Sequence, residues 1–318
     1  MRDGVEAQPL SAQATRGPLA RAWDSDLLYS FRRSPVTVLA AVLTLLCVGG
    51  ALFAPWIAPH NPFDLASVNL LDSFTPPGWT AQGKATYLLG TDNQGRDLLS
   101  AILYGARISL GVGIAAVLLS MVVGVSLGLL SGYLGGAVDA LLMRIADVQL
   151  SFPAILIALL IDGVAHVVLP RVSQGSMAVY VLILAIGLSG WVQFARTVRG
   201  STLVEKNKEY VQAARVIGRH RSAIMLHHVL PNVMGPVLVI ATIHFATAII
   251  TEATLSFLGV GMPPTTPSLG TLIRVGNDFL FSGEWWIAVF PGAALVVLVL
   301  SVNLLGDWLR DALNPRLR

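Results

Sequence analysis

Six apolar stretches separated by polar sequence decide what this chain can become: residues 36–57, 108–134, 153–169, 178–195, 233–258 and 287–305. The hydrocarbon core of a bilayer takes roughly 20 apolar residues of helix. Backbone at that depth must satisfy its own hydrogen bonds, which leaves helices as the spanning element for stretches of this length. The pattern predicts an all-α membrane protein with six transmembrane helices. Composition agrees, with 54% hydrophobic and only 12% charged residues and a mean hydropathy of +0.70, whereas a soluble domain carries about 25% charged residues. The net charge of +3 therefore reports topology rather than affinity for nucleic acid. The lone cysteine, Cys47, sits in the first stretch, so no disulfide within the chain exists.

The polar segments set orientation. With the N-terminus inside, cytoplasmic segments hold sixteen of the 21 Lys and Arg, among them Arg196, Arg199, Lys206, Lys208, Arg215, Arg219 and Arg221. External segments hold only Lys84, Arg96, Arg107, Arg171 and Arg274. The bias places both termini in the cytoplasm. The chain then divides into a cytoplasmic tail (1–35), a first helix (36–57), an external loop (58–107), a five-helix core (108–306) with a cytoplasmic loop at 196–232, and a C-terminal tail (307–318). The first 35 residues lack the apolar run and cleavage site of a signal peptide. Residues 23–31, WDSDLLYSF, are expected to lie along the membrane surface, and 139–151 to form a short interfacial helix.

The most informative polar segment is 209–232, EYVQAARVIGRHRSAIMLHHVLPN, a basic island between two spans. Helix formers run from Glu209 to Ile217, Gly218 interrupts, Ser222 offers a cap for a second short helix, and Pro231 closes the segment. This grammar predicts a docking elbow, with Val211, Ala214, Ile217, Ile224, Met225 and Leu226 as its inner face. A second pattern lies in the second span, where Ala116, Ser120, Gly124, Gly128, Gly132 and Gly136 recur every four residues on one helix face. Small residues in register predict close approach of another helix, in this chain or a partner.

Several patterns carry no chemistry. Residues 78–85, GWTAQGKA, imitate a phosphate-binding loop, but Ala85 stands where magnesium needs a hydroxyl. The six histidines show no metal spacing, and His227 and His228 diverge by about 100° on a helix. Asp162, His166, His244 and Glu252 are ionisable groups inside spans and so functional candidates. Asp162 and His166 stand toward the outer end of their span, Glu252 in the outer half of its own, which leaves a structural pair, an external vestibule and a proton relay all open. No nucleophile elbow or zinc motif occurs, so no catalytic residue is assigned.

The segment around the elbow resembles the EAA loop of binding-protein-dependent ABC importer permeases, Glu-Ala-Ala-x3-Gly-x9-Ile-x-Leu-Pro. Ala213, Ala214, Gly218, Leu230 and Pro231 fit it, while Gln212 replaces its glutamate and His228 its isoleucine. Residues 89–97 (LGTDNQGRD) with 105–110 (GARISL), 252–261 (EATLSFLGVG) with 263–270, and 303–316 (NLLGDWLRDALNPR) resemble C-type subunits of dipeptide and oligopeptide permeases. The resemblance implies the type I ABC importer permease fold in a bacterial cytoplasmic membrane. It further implies a heterodimer with a B-type permease, two ATP-binding subunits below, and an extracytoplasmic substrate-binding protein above. ATP and Mg would be bound by the ATPase subunits and no cofactor by this chain. Glu209, Gln212, Ala213, Ala214, Gly218, Ile224, Leu230 and Pro231 would form the ATPase-coupling element. The family includes members for nickel, glutathione and some sugars, so a peptide is the leading expectation among several. An ion-coupled secondary transporter and a non-transporting scaffold are the readings from other classes.

Overall fold

The computed structural model describes residues 26–64, 68–168 and 171–313. Residues 1–25, most of the expected tail, lie outside them. The described residues are almost wholly helical. In order they form α1 (Asp26–Arg33), α2 (Pro35–Leu52), α3 (Ala54–Ile57), α4 (Leu98–Leu134), α5 (Gly136–Leu150), α6 (Ala154–Val168) and α7 (Arg171–Glu205). There follow α8 (Glu209–Val216), α9 (Arg221–Ile224), α10 (Leu230–Phe257), α11 (Leu269–Phe279) and α12 (Trp286–Leu313). Five helices are long and apolar enough to cross a membrane, namely Pro35–Leu52, Leu98–Leu134, Met177–Glu205, Arg221–Phe257 and Trp286–Ala312. This is a multi-pass membrane protein.

The third span, expected as a straight helix at 153–169, is built differently. With 15 residues, α6 reaches only about 22 Å, short of the roughly 30 Å hydrocarbon core. It meets α5 at 93°, and only the bent pair together amounts to a crossing. Pro153 lacks the N–H that would carry α5 onward, and α5 ends at the Ser151 cap beside it.

Hydropathy also misplaces helix ends, because helices run on into polar sequence. The loop expected at 58–107 ends ten residues early: Asp97 caps α4 by accepting from Ser100 N at 2.9 Å, so Arg107 lies inside the helix. The fourth span, expected to end at Ala195, continues to Glu205. This puts Arg196 and Arg199 on α7 rather than in the cytoplasmic loop. Arg199 forks onto Asp139 of α5 at 2.5 and 2.6 Å, and Arg196 reaches Asp147 at 2.5 Å. The last span likewise extends to Leu313, into the stretch expected as a tail. Helix α11, which no apolar stretch announces, lies between the last two spans.

Packing is organised by the seam between α4 and α7. A Cβ on Gly124 would stand 2.5 Å from Trp191 O, one on Gly128 2.4 Å from Ala195 O, and one on Gly132 2.8 Å from Thr202 Cβ. Only hydrogen fits, so the backbones approach and dispersion contacts accumulate along the seam. Ser120 continues it by donating to Gly187 O at 2.7 Å. The partner helix of this ridge is therefore in the same chain. Gly136 has left the ridge; it follows Gly135 in the turn into α5, with φ of +56° and open space around it. Outward faces remain apolar, as on α2, where Leu39, Val42, Leu45 and Leu46 are exposed to what would be lipid.

The two ends of the bundle differ. One, the cap end, carries residues 58–64, 68–97 and α11. The other, the elbow end, carries α8 and α9. Within the cap, Arg96 Nε donates to Asp92 Oδ2 at 2.6 Å and Arg96 Nη1 to Pro264 O at 2.9 Å. Trp286 Nε1 donates to Thr91 O at 3.1 Å. Beneath it, fully buried Glu252 accepts from Ser109 Oγ and Ser256 Oγ, each at 2.7 Å.

Candidate functional site: the elbow

Helix α8 starts at Glu209, whose carboxylate suits the positive end of the helix dipole. It stops because Gly218 takes φ of +82°, a left-handed conformation glycine adopts without Cβ strain. Two hydrogen bonds close the turn, from Gly218 N to Arg215 O at 3.0 Å and from Arg219 N to Ala214 O at 3.1 Å. This pairing satisfies the last carbonyls of α8 and fixes the angle at which the chain leaves it.

The second arm departs from expectation. Residue His220, not Ser222, occupies the cap position of α9. The Ser222 hydroxyl instead meets His220 Nδ1 at 2.7 Å. Nor does Pro231 close the segment. It sits just after a π-helical turn at Met225–Val229, and the helix passes through both on its way from Arg221 to Phe257. The elbow is thus one short helix hinged to the end of a membrane-crossing helix.

Its inner face is also narrower than expected. Val211, Ala214, Ile224 and Met225 are buried, but Leu226 is exposed and Ile217 is 80% exposed, beside Val216 at 88%. Val216 follows Ala214 by two residues and so turns off the packed side, and Ile217 is the cap residue at which the chain leaves the helix. Among the remaining coupling candidates, Glu209, Gln212, Ala213, Gly218 and Pro231 are exposed and Leu230 is partly buried. Gln212 is exposed, and among the described residues no side-chain hydrogen bond uses its amide.

Sequence reasoning misses what holds the elbow to the bundle. Tyr210 of α8 donates its hydroxyl hydrogen to Glu205 at the end of α7. The same oxygen accepts from Asn232 Nδ2 of α10 at 3.1 Å, and Asn232 also donates to His228 O at 2.7 Å. Three helices meet at one phenol. Partial burial and the Glu205 carboxylate together hold its proton, pushing the pKa up to about 12. Nearby, Lys206 Nζ donates to Gly132 O at 2.7 Å, and Arg215 lies over the Tyr133 ring at 5.4 Å. A cavity of about 440 Å³ is lined by Tyr133, Leu134, Ile224 and three arginines, Arg215, Arg219 and Arg221. Among the described residues no carboxylate pairs with these arginines.

The geometry therefore offers a basic, partly apolar surface on a hinged helix, with no catalytic grouping around it. Comparison with known proteins places this arrangement. The family described as binding-protein-dependent transport system inner membrane component matches residues 124–318. The N-terminal transmembrane domain of oligopeptide transport permease C matches residues 18–77. The chain belongs to this family of binding-protein-dependent transport components, the permeases of ABC importers.

Among its relatives is the dipeptide transport system permease protein DppC of Escherichia coli, 39% identical over 318 residues and covering both chains completely. The di/tripeptide transport system permease protein DppC of Pseudomonas aeruginosa is 38% identical, over 95% of this chain and 93% of that one. The oligopeptide transport system permease protein OppC of Bacillus subtilis is 36% identical, over 92% and 90%. Among solved structures, the inward-facing MetNI methionine ABC transporter matches with a TM-score of 0.52 at 18% identity, over 67% of this chain and 96% of that one. That likeness concerns the fold alone.

Proposed function

We propose that this chain is the C-type permease subunit of a peptide importer in a bacterial cytoplasmic membrane. It pairs with a B-type permease to form the pathway, receives di- or oligopeptides from an extracytoplasmic binding protein, and is driven by two ATPase subunits. ATP and Mg belong to those subunits. The elbow end faces the cytoplasm in this reading, which the distribution of Lys and Arg supports. The peptide assignment is supported by the names of relatives that align along nearly the whole chain.

The observation that carries the coupling role is the exposure of Val216 and Ile217, at 88% and 80%, on a helix whose exit is fixed by Gly218. Apolar side chains held bare at a rigid corner beside three arginines fit a groove in a partner protein. Because the second arm is continuous with α10, movement of the elbow is movement of a membrane-crossing helix.

The test is ATP-dependent peptide uptake by the reconstituted complex, wild type against Gly218→Pro. Proline cannot adopt φ of +82°, so the elbow must reshape while the spans remain. The expected outcome is an inserted, assembled permease that has lost ATP-coupled uptake. Normal uptake by the inserted variant would refute the coupling role.

A further inference from the structure

A second cavity lies at the cap end. Its volume is about 290 Å³ and it lies between the end of α6, the start of α7, the 259–264 turn and α11. That is close to the lower end of pockets that hold small molecules. Its walls carry opposite charges. On one, Asp162 is largely buried and pairs with His166 at 3.3 Å. On the other, Arg274 of α11 lies over Gly259, where a Cβ would stand 2.7 Å from its Nη1. Gly259 holds a φ of +85°, so both its backbone and its missing side chain make room for the guanidinium. Among the described residues Arg274 has no carboxylate partner. Between the charged walls, Val181, Met262 and Pro263 supply apolar lining.

The two edges of α6 show that these charges do not face lipid. Asp162, Ala165 and His166 line this cavity, while Leu160, Gly163, Val164, Val167 and Val168 line a separate, apolar groove. Spacings of three and four residues keep each set on its own side of the helix. The apolar edge suits lipid or a partner helix. A carboxylate and an imidazole on the other edge, lining one cavity with the Arg274 guanidinium of α11, belong beside water or a polar solute.

We propose that this cleft is a staging site for the zwitterionic backbone of a short peptide, with Asp162 accepting the α-ammonium and Arg274 donating to the α-carboxylate. The inference rests on the peptide-importer reading and names the part of this chain that touches the cargo. Opposite charges at two walls match a molecule that carries one charge at each end whatever its side chains, and the small apolar lining leaves those side chains loosely held. Loose holding is what passage requires, since a solute must leave as readily as it arrives.

The experiment uses the complete complex with its receptor in proteoliposomes and radiolabelled Ala-Ala as the probe. Uptake by wild type tests the peptide reading; absence of uptake there overturns that reading and this one with it. Given wild-type uptake, Arg274→Gln is expected to lower the saturated rate about tenfold, the weight of one hydrogen bond to a charged group. Arg274→Lys should recover most of it, and receptor-stimulated ATP hydrolysis should persist in both. Asp162→Asn should produce a loss of similar size. Wild-type uptake by Arg274→Gln would overturn the proposal, as would equal losses in the glutamine and lysine variants. Should Arg274→Gln fail to assemble, the Asp162→Asn complex decides the matter, and normal Ala-Ala uptake by it overturns the site.

Discussion

The inner cap around Arg96 and the elbow end of this molecule treat charge in opposite ways. Both leave apolar residues bare: Leu71 and Phe281 at the cap are 93% and 97% exposed, much like Val216 and Ile217 at the elbow. Bare area does not separate them. In the cap, the buried guanidinium of Arg96 finds Asp92 and the Pro264 carbonyl, and Lys84 finds Asp72. At the elbow, Arg215, Arg219 and Arg221 surround a cavity with no acid among the described residues to answer them. Around Arg96 and Lys84 the charges are answered within the chain, while Arg274 at the rim of the same end stays open. The other end is built to be completed by something else, and its position on a hinged helix makes that completion mechanical.

The contrast breaks most easily at the cap. Replacing Arg96 with alanine strands the Asp92 carboxylate, whose side chain is 1% accessible. Removing one partner of a buried pair costs about 3–5 kcal/mol, so Arg96→Ala should unfold well below wild type in a thermal melt of the detergent-solubilised chain. Adding Asp92→Asn should restore part of the loss. An Arg96→Ala protein that melts with wild type would show that the cap does not depend on its internal pair.

At the elbow the same kind of change should spare the chain and harm the assembly. The double variant Arg219→Glu, Arg221→Glu reverses an exposed charge that has no partner at home, so the melt of the isolated chain should move little. Attachment of the ATPase subunits should weaken by about 2 kcal/mol or more, because like charges placed across an interface are strongly unfavourable. Quantitative co-purification over a salt series measures this. Unchanged attachment at low salt would mean that the elbow arginines are not part of the docking surface.

The smallest effect concerns the phenol that ties the elbow to the bundle. Tyr210 has its pKa raised to about 12 by burial and by the Glu205 carboxylate, against about 10 in an unfolded chain. The folded state holds this proton more tightly, so the contribution is complete below about pH 10 and is lost as pH rises toward about 12. A difference absorbance titration, wild type minus Tyr210→Phe, should show one tyrosine ionising late, and Glu205→Gln should bring it earlier. Ionisation at the ordinary tyrosine value would remove the clamp from the account of the elbow.

Much of the architecture is legible in the order of residues alone, and the misreadings share a cause. Gly124, Gly128 and Gly132 are legible because a period of four is visible in sequence and has a steric meaning on a helix. Gly218 is legible because a glycine after a helical run has few other uses. Ile217 falls on the wrong face because periodicity gives spacing, not the side on which a partner lies, and the chain turns just there. Arg196 and Arg199 read as loop because hydropathy falls where helix α7 does not end; their acids, Asp147 and Asp139, lie 49 and 60 residues earlier. The bond from Ser109 to Glu252 is invisible for the same reason, since a hydrogen bond across 143 residues leaves no local signal.

The cap's fastenings also impose an order on synthesis. Arg96 is held by Pro264, 168 residues later, and Thr91 by Trp286, 195 residues later, at the threshold of the final helix. The seam between α4 and α7 joins segments made much closer together in time. A nascent chain therefore has the α4–α7 seam to pack first and keeps its cap unlatched until the last span begins to enter the bilayer. A ribosome that stalls before Trp286 leaves behind a chain whose Thr91 carbonyl has no indole to latch it.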